Sequence, residues 1–169
     1  RRGVFVSEMT AKDVWEAYTL KATLYEMATE LALDNISRTQ LVELESFVKK
    51  MEDCVFAEPV NLLGYQEYHQ EFHDRILLIS GNERLKKISD SIHLQVCRFS
   101  YKSLQDKAHL HASIRYHRRI IDALKKKNKS SACKLMKDHV LEALDVLLDM
   151  YDHGEEAANI HAFKVAATE

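Results

Sequence analysis

Glycine and proline are nearly missing from this chain, with four and one in 169 residues. Sheets and long loops use more of both, so their scarcity excludes a β-rich or loop-rich fold and points to helices with short connections. No apolar run is long enough to span a membrane, and none of the sequence reads as a signal peptide. Neither charge sign is in excess: 24 Lys and Arg stand against 26 Asp and Glu. That balance gives no reason to expect the chain itself to hold nucleic acid. The three cysteines, Cys54, Cys97 and Cys133, are odd in number, widely spaced and without a C-x-x-C pair. They read as reduced thiols packed among apolar neighbours in a cytoplasmic protein.

What remains is a soluble globular chain, 46% hydrophobic and 30% charged, of one domain's length. Gly3-Val-Phe-Val6 is a β-type run at the start, and a sequence that opens without Met reads as an expected fragment or processed chain. Six helical segments follow. The first, over about 11–33, is capped by Thr10 or Asp13 and places Val14, Ala17, Tyr18, Leu20, Leu24, Met27, Ala28 and Leu31 on its apolar side. The second runs from a cap at Ser37 or Thr39 to Cys54, and Pro59 breaks the chain after it. The third, 60–80, ends at Gly81, and Asn82 caps the fourth. The fourth runs to about 104 with Leu85, Ile88, Ile92, Val96 and Phe99 inside, the fifth over 107–127, and the sixth over 130–153. The fold class is therefore all-α, an antiparallel bundle of six helices. A seventh is added if the tail at 154–169 folds as a helix instead of staying disordered.

The chemistry sits in histidines. His69 and His73 are four residues apart, offset by about 40° and about 6 Å along a helix. Both fall on the stripe of Tyr65, Phe72 and Ile76. His117 shares a stripe with Ile114, Ile120, Ile121 and Leu124, and His139 with Met136, Val140 and Ala143. His117 and His139 lie eleven residues either side of Asn128, the middle of the polar stretch 125–131. A bend there faces them at one height. A single inward histidine is more often a hydrogen-bonded core residue than a ligand. Four together are costly to bury without partners, and a metal satisfies all of them at once. Neutral imidazoles suit Zn, Ni, Cu or Fe rather than Ca or Mg, with Zn or Ni preferred here. His93 is a neighbour of the site or an ordinary surface or core residue. His109 and His111, near the start of the fifth helix, read as solvated.

Several segments resemble a known family. Glu71-Phe-His-Asp-Arg-Ile-Leu-Leu-Ile-Ser-Gly-Asn82 is similar to the F-H…S-G-N segment of the FCD domain. That domain is the C-terminal effector-binding module of GntR-type transcription regulators of the FadR/VanR subfamily. Ser113-Ile-Arg-Tyr-His117, Ile120, Ala123-Leu124, Ala132, Met136 and His139-Val140 agree with its second half, and Asp13-Val14 and Leu20-Lys21…Leu24 with its first helix. Arg2-Gly-Val-Phe-Val6 resembles the last strand of the winged helix-turn-helix domain that precedes it. The resemblance thus implies a wing-and-linker remnant at 1–10, a ligand-binding domain at 11–153 and a tail at 154–169. It also implies a homodimer, and DNA contact through the preceding domain. The family's metal is held by an Asp and three histidines, often with a small carboxylate effector completing the coordination. His73, His117 and His139 match those histidines, and His69 stands where the family has Asp. That change raises the net charge around a divalent ion from about +1 to about +2. A common family Arg is Lys21 here, which makes no bidentate carboxylate contact, and an acidic position is Tyr25.

The expected function is thus an effector-sensing domain of a bacterial DNA-binding regulator, holding a divalent transition metal and a small organic acid. Arg98 on the fourth helix is the candidate carboxylate clamp, against the alternative of a surface salt-bridge arginine. Lys21 and Tyr65 are further effector-binding candidates, and Tyr68 and Tyr101 either line the pocket or pack the core. The competing reading is a metal-dependent enzyme on a helical bundle. It lacks an inward carboxylate to act as general base. A third is an interaction module with a structural metal.

Overall fold

A computed structural model of the chain describes residues 9–152, with side chains through Met150. The β-type run at 1–6 and the tail from 153 onward lie outside the described residues. Six α-helices follow one another: α1 (Ala11–Asn35), α2 (Arg38–Val55), α3 (Leu62–Ile79), α4 (Glu83–Ser103), α5 (Lys107–Lys125) and α6 (Lys129–Asp152). There is no strand among the described residues. The all-α bundle expected from the sequence is the observed fold, with each helix end within about two residues of its expected place.

Short polar side chains start the helices. The Thr10 hydroxyl accepts from the Asp13 backbone N–H while the Asp13 carboxylate accepts from that of Thr10, a reciprocal box that Ser37 and Gln40 repeat at α2. Asn61, Asn82 and Asp106 cap α3, α4 and α5 through their side-chain oxygens. The bend between α5 and α6 positions two of the histidines. Lys127 takes a left-handed backbone with φ +50°, and the Asn128 N–H reaches back to the Ala123 carbonyl at 3.0 Å. The Asn128 side chain then accepts from Ser131 N–H at 3.1 Å. Asn128 therefore closes one helix and opens the next, and α5 and α6 run back to back from that point.

Helix α1 lies at the centre, packed along α6 and also against α3 and α4, while α2 covers α3 and α5. Its buried face is Val14, Tyr18, Lys21, Ala22, Tyr25, Ala28, Thr29 and Ala32. Here the sequence expectation needs correction. Leu20 and Met27 are about half exposed, as is Ile88 on α4. These residues are apolar in type, but their angular positions fall on the outer side of helices whose inner faces are filled by others: alanines and tyrosines on α1, and Leu85, Ile92, Val96 and Phe99 with serines on α4. A polar Thr29 is tolerated inside because its hydroxyl donates to the Tyr25 carbonyl at 2.8 Å. No helix among the described residues is long and apolar enough to cross a membrane.

The core resides in side chains such as Leu147, fully buried on α6, and not in Leu94, which is 75% exposed on α4. Urea unfolding should place Leu147→Ala about 2–5 kcal/mol below the parent and Leu94→Ala within about 0.5 kcal/mol of it. Equal losses at the two positions would contradict this packing.

Candidate metal and effector site

Three helices bring the four histidines to one point. Their i,i+4 spacing sets His69 and His73 on one face of α3, with ring centroids 4.6 Å apart. The Asn128 bend sets His117 of α5 and His139 of α6 opposite each other, 4.4 Å between centroids. All four turn Nε2 inward. His139–His69, His69–His73 and His73–His117 are each separated by 3.3 Å between Nε2 atoms. The four nitrogens lie within 4.8 Å of one another. Four nitrogens held about 2.0–2.1 Å from one ion in a tetrahedron are about 3.3–3.4 Å apart. Three contacts match that edge, and the wider outer limit describes a set more open than a closed tetrahedron.

Hydrogen bonding among the imidazoles alone does not account for this arrangement. The His117 Nδ1 lies 2.6 Å from the Ser113 carbonyl, which only accepts, so Nδ1 carries the proton and Nε2 is a lone pair. His73 must then donate to His117, and its single Nε2–H is used. No set of neutral tautomers turns the three 3.3 Å contacts into three good hydrogen bonds, because each Nε2 offers one proton or one lone pair. One cation at the centre satisfies all four nitrogens together. The donor set therefore fits a metal that prefers nitrogen.

The surroundings keep the rings neutral and oriented. Burial first, then neighbouring histidines, Lys21 among the further causes, push His69, His73 and His139 well below the ordinary histidine range. His117 falls to about 4 through burial, opposed by its bond to Ser113. Phe72 packs edge-on against His73 and His117, at 5.4 and 4.8 Å. The Tyr65 hydroxyl donates to Ser113 Oγ at 2.8 Å, and its ring stacks on His69 at 5.9 Å. Such outer contacts fix ligand orientation.

Beside the cluster is a cavity of about 20 Å³, lined by Tyr18, Lys21, Tyr25, Ser100, Ser103 and His109 as well as His69, His73 and His139. Lys21 is thus placed with the histidines. Arg98 is not: it is exposed, lies over the Phe99 ring at 4.8 Å and lines a separate surface groove between α1 and α4. Two residues off the Val96 position turns it to the outer face of α4, so it clamps nothing at the histidines. Tyr65 does not line the cavity either, since its hydroxyl is engaged by Ser113. Tyr68 and Tyr101 are also absent from the lining, and Lys50 sits over the Tyr68 ring at 5.0 Å. His93 is half-buried on α4, lowered to about 4 by burial and by Lys21.

His109 overturns its expected role. It is 4% exposed and lines the cavity, whereas its place in the first turn of α5 had marked it as solvated. The Asp106 side chain accepts from the His109 backbone N–H at 2.7 Å, and that first turn lines the cavity together with Ser100 and Ser103 of α4. Ser100, Ser103 and Tyr18 were also missed. The Tyr18–Ser100 hydroxyl contact of 2.9 Å joins residues 82 apart in the chain, and no local pattern signals such a pair.

Comparison with known proteins agrees with this architecture. The FCD domain model matches residues 16–142. A Bacillus subtilis (strain 168) protein, described as the uncharacterized HTH-type transcriptional regulator YdhC, is 28% identical over 160 residues, covering 92% of this chain and 69% of that protein. The solved structure of E. coli McbR/YncC superposes with a TM-score of 0.78 at 18% identity, over 88% of this chain and 73% of the other. That of Streptococcus agalactiae GntR gives 0.63 at 27% identity, over 83% and 62%. The chain belongs to the FCD family, the effector-binding domain of GntR-type transcription regulators. This makes it a regulator's domain and not an enzyme.

Each cluster histidine is neutral in the fold and has a depressed pKa, so the unfolded chain takes up protons first as pH falls. Stability is full above the unfolded histidine value of about 6.5 and drops from there toward about 4, the His117 value. For chelator-treated protein, urea unfolding should show a flat plateau from pH 8 to 7 and a loss of several kcal/mol by pH 4.5, reduced in His117→Gln. A flat profile down to pH 4.5 would contradict the burial of neutral rings.

Proposed function

We propose that the domain binds a divalent transition metal, Zn or Ni, through His69, His73, His117 and His139, and that a small organic-acid effector is sensed beside it. The observation that carries this is the set of four Nε2 atoms at 3.3 Å steps, which no tautomers reconcile. A bound metal supplies a Lewis-acidic, doubly positive centre. The protein's own part is to hold four neutral imidazoles, keep water largely out and present Lys21 at the same cavity. With His69 in place of the family Asp, no carboxylate among the described cavity residues offsets that charge.

The cavity volume gives the reading a mechanism. About 20 Å³ accommodates one or two water molecules and not an organic acid. An effector therefore selects an enlarged arrangement of α1, α4 and the α5 start around the cavity. The difference in its affinity for the two arrangements is what moves the equilibrium. In the longer regulator, a homodimer on this account, that shift changes the placement of the DNA-binding domains that precede this one.

Metal content and thermal unfolding test the metal. Protein purified without a nickel column and stripped with chelator should take up one equivalent of Zn²⁺. At a hundredfold excess over its Kd this adds about 2.7 kcal/mol, or roughly 5–10 °C in Tm. His139→Ala should lose most of that gain. A site filled by Mg²⁺ or Mn²⁺ in preference to Zn²⁺ and Ni²⁺ would overturn the proposal.

A further inference from the structure

Lys21 is the most unusual charged group in the molecule. It is 5% exposed, near the middle of α1. Its Nζ lies 5.5 and 5.2 Å from the Tyr18 and Tyr25 ring centroids. It forms no ion pair among the described residues. Asp74 acts on it only at a distance, and that carboxylate accepts a hydrogen bond from Gln70 at 2.9 Å. The side chains around the shared cavity include no Asp or Glu. A buried ammonium without a counterion is costly, and a divalent ion among neutral histidines adds two further positive charges to the same dry space. One carboxylate offsets one of these three charges.

We infer that the effector is a dianion, a compact dicarboxylate of roughly three to five carbons, with one acid group at the histidine-held metal and the other at Lys21. This rests on the metal reading above. The distances permit it. The Tyr25 ring that Lys21 overlies is itself 5.1 Å from the His73 ring, so the ammonium lies within the combined 5.2 and 5.1 Å of that ligand. A chain of a few carbon–carbon bonds of about 1.5 Å covers such a span. The ammonium end is also furnished for an acid group. The paired Tyr18 and Ser100 hydroxyls, the latter lining the same wall as Ser103, hold one donor for a ligand oxygen. His109 adds a buried Nδ1 without a protein partner. Metal coordination alone gives no reason to collect these groups at the same cavity as the histidines.

Calorimetry on the 169-residue chain loaded with one equivalent of Zn²⁺ separates the possibilities, using succinate and its monoacid counterpart butyrate at fixed ionic strength. Succinate should bind at least about tenfold tighter, as expected for one added charge-assisted contact. Lys21→Gln should abolish that ratio while leaving Zn²⁺ uptake and butyrate binding in place. Lys21→Arg, which keeps the charge, should retain the preference. Equal affinity for the two acids in the parent, or a preference that survives Lys21→Gln, overturns the dianion. Binding of neither acid to the zinc-loaded chain overturns it as well. Failure to take up zinc shows itself before any acid is added, and counts against the metal reading on which the inference rests.

Discussion

Four imidazole nitrogens crowded to 3.3 Å inside a hydrophobic bundle are the constraint on which the rest of the structure depends. Lone pairs at that distance repel unless something positive lies between them, and protons are a poor answer because burial disfavours the charged rings. The architecture is arranged around that point. Helix α3 supplies two rings by its own periodicity, and the Asn128 bend aligns one ring from each of the next helix pair. Ser113, itself held by Tyr65, fixes the His117 tautomer. Phe72 and Tyr25 pack against the rings and keep them dry.

The same arrangement leaves the cavity one-sided in charge. His69 brings no negative charge to the cluster, and Lys21 adds a positive group at the same cavity. On the proposed metal reading, such a dry cavity favours an anion, while its small volume of about 20 Å³ opposes entry. Under the proposed function those two opposed demands would set a closed form, held by packing, against an enlarged form that the ligand selects.

Much of this was legible in the sequence because it rests on local rules. The capping residues, the glycine stop at Gly81 and the polar bend around Asn128 declare themselves in short stretches, and they carried the four histidines to their places. Arg98 was misplaced because a one-dimensional stripe does not show which side of a helix its neighbours cover. Leu20, Met27 and Ile88 were misplaced for the same reason. His109 was hidden by its position in a first turn, which is usually wet and here is buried against the cavity. The Tyr18–Ser100 contact and the isolation of Lys21 depend on which helices meet, a long-range property that composition and spacing do not encode.

The central claim is that one metal ion is held by imidazole nitrogens from three helices. X-ray absorption at the zinc edge of the zinc-loaded chain addresses it most directly, since imidazole rings leave a distinctive multiple-scattering pattern. The account predicts a first shell containing four imidazole nitrogens at about 2.0–2.1 Å, with one fewer in His69→Ala. A shell dominated by oxygen, or one unchanged by His69→Ala, would contradict it.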